Sequence, residues 1–160
     1  MRWFRHSSSR GFTFIELMVV TAVMMVLASA AVPLARFSIK RQREADLRHA
    51  LLEMRTALDQ FYVYAQGGRI APTELTLNGE NYPANLDMLV EGVLLANDAS
   101  GRRKKFLRRI PIDPMTGTTD WGKRSYQDEK DSKIWGGQSV FDVYSKSDAT
   151  ALNGSKYKDW

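Results

Sequence analysis

The chain has no cysteine, which excludes a disulfide scaffold, a thiol nucleophile and a thiolate zinc site. It has two histidines, His6 and His49, separated by a long apolar stretch, so neither a histidine metal site nor a catalytic triad can be built from them. Serine and aspartate are plentiful, yet no nucleophile motif or glycine-rich phosphate loop is present, and catalysis is not expected. Acidic residues are missing from the first eleven positions (MRWFRHSSSRG), where Arg2, Arg5 and Arg10 stand alone. Removing these three takes 23 basic groups to 20 against 18 acidic ones, so the net charge of +5 drops to +2. The basic balance thus belongs partly to a leader and argues weakly for a nucleic-acid partner.

What is present begins with a long run that lacks charge. From Leu17 to Ala35 there are nineteen uncharged residues, and Phe12 to Ile15 extend the apolar side past a single carboxylate, Glu16. About 20 apolar residues carry a helix across a bilayer. A carboxylate inside such a span is expensive, and its presence there points to a function. The Ala28–Ala31 stretch (ASAA) resembles a signal-peptidase site, but helical periodicity continues beyond it. Leu47, Leu51, Met54, Leu58, Phe61 and Ala65 recur at steps of three and four, one face of a helix. Gly67-Gly68 supplies the stop. One helix from Phe12 to about Gln66 is therefore expected, interrupted at most at Pro33, which lacks an N–H and crowds the preceding turn. Arg36, Lys40, Arg41 and Arg43 follow the span as closely as the leader arginines precede it, so charge does not fix the orientation.

Further on, Leu86, Leu89, Val90 and Val93 read as a short amphipathic helix capped by Asn85. Arg124 to Asp128 and Ser139 to Ser145 read as strands joined through Gly136-Gly137. In the second strand, period-two alternation directs Phe141 and Val143 to the helix and Asp142 and Tyr144 outward. The expected fold is α+β: a long N-terminal helix packed on a small C-terminal domain with a short antiparallel sheet.

The segment Gly11-Phe12-Thr13-Phe14-Ile15-Glu16-Leu17, behind a short basic leader, resembles the signal of type IV pilins and type II secretion pseudopilins. That resemblance implies cleavage between Gly11 and Phe12 by a prepilin peptidase, N-methylation of Phe12, an assembly role for Glu16 and a helix break at Pro33. It divides the chain into a cleaved leader (1–11), a transmembrane and assembly helix (12–35) and a periplasmic domain (36–160). The order Ile110-Pro111-Ile112-Asp113-Pro114, Phe141–Ser145 and a terminal Asp159-Trp160 is similar to the major, G-type pseudopilins. The function so implied is a structural subunit of a periplasmic pseudopilus that drives protein export. Its partners would be identical subunits, minor pseudopilins, the peptidase and the inner-membrane assembly platform. A surface type IV pilin for adhesion or motility is the alternative.

Calcium is implied by the same resemblance, in the loop before the last tryptophan, with Asp148 as the candidate ligand. Calcium asks for six to eight oxygens. Lys156 stands where the family has an aspartate, so the residues themselves favour a loop held by Asn153-Gly154 and by packing of Tyr157 and Trp160, without cofactor. The basic run Arg102–Arg109 (RRKKFLRR) suits phosphates and raises a DNA-uptake pilin as a third reading. Charge runs in connecting segments are more often solvated surface or subunit contacts, and nucleic-acid binding ranks behind both.

Overall fold

A computed structural model of the chain describes residues 11–75, 80–96, 98, 101–129, 132 and 134–160, except for the side chain of residue 30. The leader arginines lie outside the described residues. The chain divides into two compact units, 1–40 and 41–160.

The first unit contains the start of α1, a helix that runs from Phe14 to Gln66 and continues through Pro33. From Phe14 to Leu34 its large apolar side chains are exposed. The hydroxyls in this stretch are satisfied locally. Thr21 donates to the carbonyl oxygens of Leu17 and Met18, and Ser29 donates to that of Val26. Folding back on the helix this way removes the cost of a bare hydroxyl in an apolar medium.

In the second unit α1 turns one face inward. Leu47, Leu51, Met54, Leu58, Phe61 and Ala65 are all buried, with Ala50 and Ala57 beside them, as the three- and four-residue spacing requires. The helix ends in a paired cap. Gly68 N–H donates to Ala65 O and Arg69 N–H to Tyr64 O, with Gly68 at φ +64°, a conformation that favours glycine.

Helix α2 (Asp87–Glu91) lies where the sequence places a short amphipathic helix. Asn85 Oδ1 accepts the Met88 N–H at 3.0 Å, the capping role expected of it. Leu86, Leu89 and Val93 enter the core. Strand β1 (Val93–Leu94) pairs antiparallel with β2 (Arg103–Lys104). A second antiparallel pair joins β3 (Gly122–Arg124) to β4 (Asp142–Tyr144), with Lys123 opposite Val143. The fold is α+β, with two small two-stranded sheets in place of the single expected one.

The strand expected over 124–128 ends early for a local reason. Asp128 Oδ2 accepts the N–H of Ser125 at 2.7 Å and of Gly136 at 3.1 Å, turning the chain directly after Arg124. Gly122 sits under the Tyr144 ring, whose nearest carbon would lie 2.3 Å from any Cβ at that position. Val143 is fully buried as expected, but Phe141 is 41% exposed. Phe141 precedes β4, and its ring packs edge-on to Tyr82 and Tyr126, so the alternation of the strand does not govern it.

Candidate assembly and processing segment

Gly11 and Phe12 lie ahead of α1, outside any regular element and exposed, with Phe12 80% exposed. Thr13 is the residue before the first helical position. Its Oγ1 accepts the Glu16 N–H at 3.3 Å, while its carbonyl oxygen accepts the Leu17 N–H at 3.1 Å. Thr13 is therefore the N-cap, and Glu16 occupies the third helical position. The pattern Thr13-x-x-Glu16 ahead of an apolar run is the capping-box signature, so the sequence itself carries the signal for this helix start. A carboxylate in the first turn is also favoured by the positive end of the helix dipole. The Glu16 side chain is exposed, in a row with Phe14, Ile15, Leu17 and Met18, all more than half exposed. Pro33 lies inside the helix, and Phe37 and Ile39 beyond it remain exposed.

Two buried carboxylates, neither foreseen, organise the second unit. Glu44 is 6% exposed, and its Oε1 accepts the Leu152 N–H at 2.8 Å and the Tyr157 hydroxyl at 2.9 Å. Burial, reinforced by this bond to Glu44, pushes the Tyr157 hydroxyl up to about 12. Asp113 is fully buried, with Oδ2 accepting the Ser145 hydroxyl at 2.6 Å and Oδ1 the Met115 N–H at 2.8 Å. It fastens the Pro111–Pro114 loop to the end of β4. At the edge of the core stripe on α1, Arg55 grips Asp142 at 2.7 and 3.3 Å and donates to main-chain oxygens of Val143 and Trp160. The Arg48 guanidinium lies 4.5 Å from the centroid of Trp160, whose indole N–H donates to Ser155 Oγ. A charged residue on an apolar helical stripe, such as Glu44, is the sequence cue for such an anchor.

The C-terminal loop is held by protein contacts. Asp148, the candidate calcium ligand, is 80% exposed, and its Oδ1 is bound by Lys158 Nζ at 2.7 Å. That bond raises the Lys158 ammonium above its ordinary value. Among the described residues no group of three or more His, Cys, Asp and Glu converges on one point. A single ion-paired carboxylate does not fit an ion that needs six to eight oxygens.

The basic run is divided between internal and external work. Arg103 donates to Gly92 O and pairs with Glu74, Arg102 pairs with Asp98, and Lys104 Nζ lies over the Tyr64 and Phe106 rings. Leu107 is buried, and Phe106 packs on Phe61 and Tyr64. Arg108 and Arg109 are exposed.

The family described as the prokaryotic N-terminal methylation motif matches residues 6–32, so the chain carries a type IV pilin-like prepilin leader. No curated protein and no solved structure gives a significant match. Motif and apolar helix together fit a membrane-anchored chain.

Proposed function

We propose that the chain is a structural subunit of a periplasmic pseudopilus that drives protein export by type II secretion. The observation that carries this reading is the methylation motif over residues 6–32, leading into a helix whose apolar side chains from Phe14 to Leu34 are exposed. So much bare apolar surface requires lipid or other helices around it. In this proposal a peptidase cuts between Gly11 and Phe12, and the new Phe12 amine is methylated. Residues 12–35 anchor the subunit in the inner membrane, then bundle in the filament core. Residues 36–160 form the periplasmic surface of the filament. Identical copies, minor pseudopilins and the assembly platform are the partners.

The test is a deletion and complementation in the source cell. Leader removal and methylation are followed by mass, and the secreted proteins are compared with and without the chain. Loss of export with surface fibres intact is the expected result. Loss of surface fibres with export intact would replace the reading with a surface type IV pilin. An unprocessed chain would overturn both.

A further inference from the structure

Positions two apart on an α-helix are separated by about 200°. Tyr62 and Tyr64 therefore leave α1 on opposite flanks of the Leu51–Leu58 stripe, and each begins a different surface.

On one flank Tyr62 stacks on Tyr82 at 4.9 Å, Tyr82 meets Phe141 edge-on at 5.2 Å, and Phe141 meets Tyr126 at 5.4 Å. This row of rings emerges into solvent, with Phe141 41% and Tyr126 61% exposed. Two carboxylates border it. Asp59 stands three residues before Tyr62 on α1, one turn away on the same side of the helix. Burial, reinforced by Tyr62 and then by these carboxylates, raises the Tyr82 hydroxyl. Asp59 is exposed, and Glu80 accepts the Gln127 amide at 2.7 Å. Among the described residues the cations near this flank are committed: Arg55 and Arg124 to Asp142, Lys123 over the Trp135 ring. Aromatic faces edged by carboxylates attract a cation, above all a guanidinium.

On the other flank Tyr64 holds Phe106 at 5.6 Å, which plants the segment 103–109 against the helix. Lys105, Arg108 and Arg109 are exposed on it, with Arg108 and Arg109 beside Glu53, and the exposed Leu52 near Arg108.

We infer that the Arg108–Arg109 segment of one copy docks on the Tyr62–Tyr82–Phe141–Tyr126 row and the Asp59 and Glu80 carboxylates of the next. The inference rests on the filament reading above. Complementary charge favours a second copy as the occupant. The two patches lie on opposite flanks of one helix and cannot satisfy each other within one chain. A contact between unlike patches leaves each added copy with a patch free for the next, and where the rotation between copies does not close a ring the contact runs on without end. That is the geometry of an open filament.

The test uses the full-length chain in its own cell, with filaments recovered by shearing. Arg108→Glu with Arg109→Glu should lower filament yield at least tenfold, and adding Asp59→Arg with Glu80→Arg to that chain should restore it. A second arm does not depend on how those variants fold. The chain has no cysteine of its own, so Asp59→Cys and Arg109→Cys variants are co-expressed and joined with a bis-maleimide. A covalent dimer from the mixed pair, and none from either variant alone, is the expected result. Filaments that form without the mixed dimer overturn the docking surface and leave the filament reading standing. A dimer from Asp59→Cys alone, or coupling of Asp59→Cys only to a different protein, overturns the head-to-tail occupant. An unmodified chain that yields no filament overturns the inference and the proposed function together.

Discussion

Tyr157 donates its hydroxyl to Glu44 across 2.9 Å, joining the last loop of the chain to α1 over a sequence separation of 113 residues. Both groups are buried, and Glu44 also holds the Leu152 N–H. A hydrogen bond to a charged acceptor contributes about 1.5–3 kcal/mol. Tyr157→Phe should therefore destabilise the second unit by about 2 kcal/mol, read as a lowered midpoint in urea with unchanged slope.

The same pair sets an alkaline limit. Tyr157 rises from 10.0 to about 12 in the folded chain. The folded state thus keeps a proton that the unfolded chain has lost, and the stabilisation is complete below pH 10 and fades as pH rises through 12. Tyr157→Phe should lose less stability than the parent chain between those values. An identical alkaline loss in both would remove Tyr157 as the cause.

The fragment from Arg36 onward should fold alone and remain monomeric at micromolar concentration. Every residue of the buried core, from Leu47 to Tyr157, lies inside it. The side contacts proposed between copies involve exposed charges, which are individually worth about 0–1 kcal/mol and do not hold a dimer together without the apolar helix. Sedimentation of the fragment checks this; a strong dimer would count against dividing the work between core helix and outer surface.

Calcium should leave the melting temperature of that fragment unchanged. A ligand at a thousandfold excess over Kd stabilises by about 4 kcal/mol. Asp148 is instead engaged by Lys158, and the loop is closed by the Thr150–Lys156 bridge and by Glu44. A large upward shift with millimolar calcium, reversed by a chelator, would show that the loop rearranges around the ion.

The parts of the chain legible in advance were those governed by periodicity and local chemistry. The stripe from Leu47 to Ala65, the stop at Gly68 and the Asn85 cap each depend on neighbours within about one turn. The partners of Glu44, Asp113 and Arg55 were not legible, because they lie 108, 32 and 87 residues away and sequence spacing holds no record of such pairs. Phe141 failed for a related reason. Its position was read from the alternation of a strand, but the strand begins one residue later and the ring joins Tyr82 and Tyr126. In the assembly segment the Thr13 cap is legible from the Thr13-x-x-Glu16 spacing, because Glu16 is both a charge in an apolar run and the third residue of a helix.

That double identity of Glu16 allows its charge and its place in the cap to be separated by mutation. Thr13 Oγ1 accepts the Glu16 N–H, and a third-position glutamate or glutamine can reach back to the cap. Glu16→Gln keeps that reach and removes the charge. In the filament reading, the carboxylate meets the Phe12 amine of a neighbouring copy, and two charges costly in an apolar core offset each other only at the right stagger. Leaving one of them buried and unpaired costs several kcal/mol, about 3–5 in measured cases. Glu16→Gln, Glu16→Ala and Glu16→Val should each insert, be cleaved after Gly11 and fail to polymerise, while Glu16→Asp, with a shorter reach, gives an intermediate yield. Thr13→Ala should cost the helix start about 1 kcal/mol and lower filament yield only modestly, with Thr13→Ser restoring it. Leader removal followed by mass, beside the yield of sheared filaments, measures both steps. Normal filaments from Glu16→Gln but not from Glu16→Val would assign Glu16 to the cap and defeat the charge pairing. Lost cleavage in every Glu16 variant would assign it to the peptidase.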